Sequence, residues 1–108
     1  MKELENEMEL DELCQNSPAV ILQFGSETCG PCHAIRNRID LWNTQHPRVQ
    51  TRYIPIETQK ALAAKWDIFS VPSVIVVIEG KVTVRQSGVF SLDQILSQTE
   101  RILGLLEE

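Results

Sequence analysis

The feature that most constrains this chain is a pair of cysteines set between a strand pattern and a helix pattern. An apolar run at residues 19–24 is followed by Cys29 and Cys32, and then by a segment with helical periodicity that ends near residues 46–47. If the helix begins at Cys29, both cysteines lie on one side of its first turn, with α-carbons about 5 to 6 Å apart. That spacing predicts a disulfide that opens and closes reversibly.

The two sulfur atoms are expected to differ in exposure. Ile35, Ile39 and Trp42 continue the helical column of Cys32, so Cys32 is expected to point toward the apolar face of the helix. Cys29 lies at the helix N-terminus, where unpaired backbone N–H groups and the helix dipole favour a thiolate over a thiol. Cys29 is therefore the candidate nucleophile, and Cys32 is the candidate resolving cysteine.

The residues between the cysteines suit such a turn, and a metal site is the alternative. Pro31 lies in the first helical turn, where its missing N–H costs little, and Gly30 keeps bulk away from the attacking sulfur. Structural zinc needs four ligands, and the chain has one Cys-x-x-Cys segment. Cys14, His33 and His46 would have to converge from separate places, so redox chemistry is favoured and no metal is predicted.

Composition limits the class of protein and its location. The chain has 108 residues, enough for one core without staples, which predicts a single domain over residues 1–108. The three cysteines are an odd number and no charged-then-apolar leader precedes the predicted fold, so we expect a reducing compartment, the cytoplasm. The net charge is −5, with six of the 15 acidic residues in the first twelve positions. Without a basic face or a long apolar run, neither a nucleic-acid partner nor a membrane is expected.

Hydrophobic periodicity predicts alternating helices and strands. Helices are predicted at about 4–15, 29–45, 57–66 and from 91 onward, and strands at 19–24, 48–56, 73–78 and 81–86. A turn at Glu79-Gly80 joins the last two strands, and Ser91 with Gln94 forms a capping box for the last helix. The strand, helix and strand over 19–56 predict a right-handed βαβ unit with a parallel pair. We therefore predict an α/β fold with a mixed sheet of about four strands between helical layers, a short strand at residues 1–5 being an open alternative.

This order of elements resembles the thioredoxin family. The resemblance rests on the sequence CGPC at 29–32 after an apolar strand, on Val71-Pro72 forty residues further on, and on the β-hairpin and amphipathic helix that follow. It covers nearly the whole chain. It implies a thioredoxin fold with a cis-proline loop, in which Pro72 stands beside the active-site disulfide and Val71 offers backbone hydrogen bonds to the substrate. Gly88 and Val89 match positions that flank the family's substrate groove, as does Phe69, for which the core is the alternative.

The resemblance also implies an activity and partners. It implies a thiol–disulfide oxidoreductase that reduces disulfide-containing proteins through the Cys29–Cys32 couple. No bound cofactor is expected, because the electrons reside in the cysteines. Thioredoxin reductase with NADPH is the implied electron donor, and the protein is expected to be a monomer.

Three positions depart from the family pattern. Thr28 replaces the tryptophan usual before the first cysteine, Gln23 replaces the buried aspartate usual in the central strand, and Tyr53 replaces the lysine that accompanies that aspartate. Gln23 is a supporting site residue, but an amide cannot act as a base near neutral pH. These losses favour a thioredoxin-fold binding or adaptor module with low redox turnover as the alternative, whereas retention of both cysteines favours the enzyme. We expect His33 to be exposed and non-catalytic, and Cys14 to be a small buried hydrophobe.

Overall fold

Five strands form one mixed sheet in the computed structural model, which describes residues 1–106. The strands are β1 (Lys2–Glu3), β2 (Ala19–Gly25), β3 (Gln50–Pro55), β4 (Ser73–Ile78) and β5 (Lys81–Ser87), in the order β1-β3-β2-β4-β5. Strand β1 confirms the short strand that the sequence left open at residues 1–5, so the sheet has five strands where about four were predicted. The last two residues of the predicted 1–108 domain lie outside the described residues.

Four helices flank the sheet. They are α1 (Glu7–Asn16), α2 (Gly30–Gln45), α3 (Lys60–Lys65) and α4 (Leu92–Leu106). The first begins later than predicted because the Asn6 side chain accepts the Glu9 N–H at 2.9 Å and caps it there. The third is shorter than predicted, since its N-cap is Gln59, and the Thr58 hydroxyl donates to the Pro55 carbonyl rather than capping the helix. Within residues 1–106, no helix has the length and apolar character needed to cross a membrane.

Strand β2 is the centre of the sheet. All seven of its residues are buried, with β3 parallel on one side and β4 antiparallel on the other, which confirms the predicted βαβ unit. Its alternate residues enter two separate cores. Ile21 packs with Ile39 of α2 and Ile95 of α4, whereas Leu22 packs with Leu10 of α1 and, on the same face, with α3.

The β4–β5 hairpin contains a bulge that the sequence pattern did not predict. Glu79 and Gly80 both have positive φ angles, 49° and 80°, as a tight hairpin turn requires. The register then shifts, and Thr83 is the extra residue on β5. Simple alternation along β5 would place Val82 and Val84 on one face, but because of this bulge Val82 is 53% exposed while Val84 is buried.

The sheet register gathers the predicted site residues at one end. Ser73 of β4 pairs with Phe24 of β2 and with Ser87 of β5. The neighbouring residues Pro72 and Gly88 therefore lie at the end where β2 stops and the chain turns toward α2. The candidate site is built from the loops at this end.

Candidate active site

A disulfide joins Cys29 and Cys32 where α2 begins. Their α-carbons are 5.3 Å apart, within the range predicted from the helical spacing. Cys29 is the N-cap of α2, and its Sγ accepts the Cys32 N–H at 3.2 Å. Pro31 occupies the first helical turn, where its missing N–H is not needed. A side-chain carbon at Gly30 would meet nothing within 4 Å, so the surface beside the disulfide is open.

The two sulfur atoms differ in exposure as the helical column predicted. Cys32 is fully buried, whereas Cys29 is half-buried and is followed by the exposed residues Gly30 and Pro31. An incoming sulfur atom therefore reaches Cys29 first. The catalytic roles assigned to the two cysteines follow from this difference and remain predictions.

Gln23 contacts the backbone of the buried cysteine. Its side chain is fully buried, and Nε2 donates to the Cys32 carbonyl at 2.7 Å. Its Oε1 is buried without a hydrogen-bond partner among the described residues. An unmade hydrogen bond of this kind costs about 1–3 kcal/mol. The amide thus anchors the first turn of α2 but supplies neither an acid nor a base to the site.

Tyr53 packs across the end of β2. It pairs with Gln23 in the sheet, and a side-chain carbon on Gly25 would lie 2.7 and 2.8 Å from two carbons of its ring. The Arg36 guanidinium of α2 lies 4.2 Å from the ring centroid. Burial raises the pKa of Tyr53, with a smaller opposing effect from Arg36, so the hydroxyl is neutral at neutral pH. Arg36 of α2 thus places a positive charge against this neutral ring.

A polar network that no sequence motif predicted holds the loop before Cys29. Glu57 Oε2 accepts hydrogen bonds from the Ser26 hydroxyl and from the Glu27 N–H, each at 2.9 Å. Ser26 Oγ in turn accepts the Thr28 N–H at 3.3 Å. The Glu27 N–H is the main cause of the lowered pKa of Glu57. Glu57 is exposed, so its carboxylate is ionised at neutral pH.

The other histidine and cysteine candidates lie outside the reaction centre. His33 is exposed, as expected, and its Nε2 faces the Glu27 carbonyl at 3.1 Å. Cys14 is half-buried on α1, less buried than expected; burial and, to a lesser extent, Asp11 raise the pKa of its thiol. It is thus not an activated thiol. Among residues 1–106, no three His, Cys, Asp or Glu side chains are grouped so that they could hold a metal ion.

The predicted substrate loops meet beside the disulfide end of the sheet. The Val71–Pro72 peptide bond is cis, and the Gly88 N–H donates to the Pro72 carbonyl at 2.9 Å. Val89 is fully exposed, and Phe69 is 90% exposed, which excludes the core alternative for Phe69. Phe69 and Val71 border a groove of about 540 Å³. Their contacts with a substrate remain predictions.

Known proteins share this fold. A mutant thioredoxin from Halobacterium salinarum NRC-1 superposes with a TM-score of 0.83 at 20% identity, over 93% of this chain and 88% of that one. Fasciola hepatica thioredoxin superposes with a TM-score of 0.80 at 22% identity, over 91% of this chain and 98% of that one. At these identities the superpositions show a common fold.

Comparison of sequences also finds thioredoxins among the proteins similar to this chain. The mitochondrial thioredoxin of Mus musculus is 24% identical over 95 residues, which are 87% of this chain and 57% of that protein. The chain thus spans little more than half the length of this relative. The family model described as Thioredoxin matches residues 2–101, which include both cysteines and the cis-proline loop. Because that match covers nearly the whole chain, the chain belongs to the thioredoxin family.

Proposed function

We propose that this protein is a thiol–disulfide oxidoreductase that reduces disulfides in other proteins. The observation that carries the proposal is the Cys29–Cys32 disulfide, in which one sulfur is accessible at a helix N-terminus and the other is buried. Membership of the thioredoxin family supports the same reaction class. The electrons are held by the two cysteines, so the reaction requires no bound cofactor.

The reaction has two exchange steps. In the reduced protein, the Cys29 thiolate attacks one sulfur of the substrate disulfide, forming a mixed disulfide while the second substrate sulfur leaves as a thiolate. Cys32 then loses its proton and attacks the Cys29 sulfur, which closes the intramolecular disulfide and releases the first substrate sulfur. Two electrons pass from the dithiol to the substrate. The Cys32 N–H, 3.2 Å from the Cys29 sulfur, is placed to stabilise the attacking thiolate.

The proposed substrate contacts surround Cys29. The backbone of Val71 pairs with an extended substrate segment, Pro72 shapes the site, and Gly88 and Val89 line the opposite side. The hydrogen bond between Gly88 and Pro72 supports this arrangement, because it fixes the two loops relative to each other. The exposure of Val89 supports a contact with a partner.

We propose that the substrates are disulfide-containing proteins and that thioredoxin reductase with NADPH is the electron donor. We also propose that the protein is a monomer and is located in the cytoplasm. The odd number of cysteines supports a reducing compartment. Oxidation of NADPH in the presence of thioredoxin reductase and the oxidised protein tests the donor, and light scattering tests the monomer. Titration of the cysteine couple against glutathione tests the direction of net exchange.

Reduction of insulin disulfides, with dithiothreitol as electron source, tests the proposed function. Cys29→Ser is expected to abolish exchange, whereas Cys32→Ser is expected to leave the first attack intact and to trap substrate as a stable mixed disulfide. Cys14→Ser is the matched control and is expected to retain activity, since Cys14 lies on α1 away from the disulfide. Trapping by Cys29→Ser instead would reverse the two roles.

A binding or adaptor module is the second candidate. The observations that favour it are the exposed side chains of Phe69 and Val89, on loops at the same end of the sheet as the disulfide, and an amide at position 23, where the family has an aspartate. A variant with both Cys29 and Cys32 changed to serine separates the candidates. An adaptor keeps its partners in this variant, and the unmodified protein then reduces insulin no faster than the variant does.

A further inference from the structure

We propose that Glu57 is a positioning residue for the nucleophile: acting through Ser26, it holds the loop that places Cys29 over the start of α2. The inference rests on the proposed exchange function and adds to it a residue from another part of the fold. Glu57 belongs to the connection between β3 and α3, whereas Cys29 caps α2.

A continuous series of hydrogen bonds joins the two residues. Glu57 Oε2 accepts the Ser26 hydroxyl and the Glu27 N–H, both at 2.9 Å. Ser26 then fixes the backbone of Thr28 and of Cys29, because its Oγ accepts the Thr28 N–H at 3.3 Å and its carbonyl accepts the Cys29 N–H at 3.2 Å. The Thr28 hydroxyl also lies 3.1 Å from Ser26 Oγ. One residue, Ser26, therefore links the carboxylate to the backbone of the nucleophile.

The two ends of this series of hydrogen bonds, the Glu57 segment and Ser26, are themselves held in place. The Ile56 N–H donates to the Gly25 carbonyl at 2.9 Å, which joins the start of the Glu57 segment to the end of β2. Ser26 is only 9% exposed, so its hydrogen bonds are largely shielded from water. The lowered pKa of Glu57, caused first by the Glu27 N–H, keeps the acceptor ionised at neutral pH.

Polar residues alone make up this loop. Residues 26–28 are Ser, Glu and Thr, with no apolar side chain that could anchor the loop by burial, and the exposed His33 ring adds a surface contact to the Glu27 carbonyl. Cys29 must nevertheless be held so that its sulfur faces the Cys32 N–H, the contact that favours the thiolate. Hydrogen bonds to Glu57 take the place of apolar packing at this loop.

The test measures the rate of iodoacetamide alkylation against pH in a Cys14→Ser, Cys32→Ser background, in which Cys29 is the one thiol of the chain. Glu57→Gln removes the charge but keeps an oxygen acceptor. Glu57→Ala removes both. The midpoint of the pH profile reports the pKa of the Cys29 thiol. Loss of the negative charge alone lowers this midpoint, because it favours the thiolate. Loosening of the loop raises it, because the thiolate then loses its contact with the Cys32 N–H. The two effects therefore have opposite signs.

We expect the midpoint for Glu57→Ala to lie above that for Glu57→Gln. At pH 7, Glu57→Ala is expected to be alkylated about three- to tenfold more slowly than Glu57→Gln, which is the factor for one or two lost hydrogen bonds. Ser26→Ala breaks the same series without changing the charge and is expected to raise the midpoint as well. Glu27→Gln is the matched control, since it removes a neighbouring exposed carboxylate that makes none of these bonds. Its midpoint is expected not to rise.

Identical profiles for Glu57→Ala and Glu57→Gln, or an unchanged profile for Ser26→Ala, would overturn the inference. Thermal unfolding of each variant shows whether the fold is intact. If Glu57→Ala is unstable, Ser26→Ala still interrupts the same series of hydrogen bonds and can be tested in its place. Alkylation needs no substrate disulfide. A failure to reduce insulin would therefore refute the proposed function, while the alkylation profiles alone decide the role of Glu57.

Discussion

At the scale of single residues, Gln23 separates the geometry of the site from its proton chemistry. Its amide donates to the Cys32 carbonyl, yet it cannot take a proton from the Cys32 thiol in the proposed second exchange step. Cys32 must then lose its proton to water or to a less well placed group. The release of substrate is therefore expected to be the weak step and to accelerate as pH rises.

Replacement of this amide by a carboxylate tests that expectation. Gln23→Asp is expected to speed decay of the mixed disulfide at neutral pH, measured by stopped flow, while the first attack by Cys29 changes less. It is also expected to lower the free energy of unfolding by about 1–3 kcal/mol, because an ionisable group enters a buried site. Gln23→Asn is the matched control: it shortens the side chain equally but supplies no base. Equal decay rates for the two variants across the neutral range would show that the site has another base or needs none.

Gly25 is the residue that gives Tyr53 its place. A side-chain carbon at Gly25 would overlap the Tyr53 ring, so Gly25→Ala is expected to lower the free energy of unfolding by about 1–3 kcal/mol. Gly30→Ala is the control, since a carbon there meets no atom within 4 Å; it is expected to be neutral or to stabilise by up to about 1 kcal/mol. Urea unfolding measures both. Similar losses at the two glycines would contradict this account of the Tyr53 packing.

At the scale of elements, one carboxylate from the middle of α4 contacts the C-terminal end of α2. Glu100 accepts the Trp42 Nε1–H at 2.8 Å and lies 3.2 Å from His46 Nε2. His46 Nδ1 faces the Trp42 carbonyl at 3.0 Å, and the two rings stack with centroids 4.0 Å apart. These contacts fix the C-terminal end of α2, opposite the end that carries the disulfide.

Glu100→Ala is expected to lower the free energy of unfolding by about 0.5–1.5 kcal/mol, since it removes the acceptor of the Trp42 Nε1–H. Glu100→Gln is expected to cost less, because an oxygen remains for the Trp42 N–H. The Arg38–Asp93 ion pair joins the same two helices on an exposed surface. Asp93→Ala is therefore the control, with an expected change below about 0.5 kcal/mol. Equal losses for Glu100→Ala and Asp93→Ala would show that the Glu100 contacts add nothing beyond a surface ion pair.

Elements with a clear period were predictable, and those made by contacts between distant residues were not. The apolar run of β2 and the column of Cys32, Ile35 and Ile39 are local patterns, and both were confirmed: β2, Cys32 and Ile39 are buried, and Ile35 is partly buried against the same core. Strand β1 and the bulge at Thr83 depend on pairing across the sheet, which no local period records. The same reason applies to the site: the cysteine pair was predictable, but the contact of Glu57 with the loop before Cys29 was not.

At the scale of the whole molecule, the apolar cores and the proposed redox site occupy different places. Two apolar cores lie on opposite faces of the sheet, centred on Ile21 and Leu22. The disulfide lies at one end of the sheet, away from the centres of the two cores, with Cys32 fully buried and Cys29 half-buried. Folding should therefore not depend on whether Cys29 and Cys32 are joined.

This separation predicts that a Cys29→Ser, Cys32→Ser variant folds. Closing so short a loop restricts the unfolded chain little, so its free energy of unfolding is expected to fall below that of the oxidised protein by about 2 kcal/mol, within the stability of an ordinary domain. Urea unfolding of the oxidised protein, the reduced protein and the variant measures this, and the reduced protein separates loss of the bond from loss of the thiols. If the reduced protein showed no cooperative transition, the disulfide would be a structural bond, and each turnover would require the chain to unfold and refold.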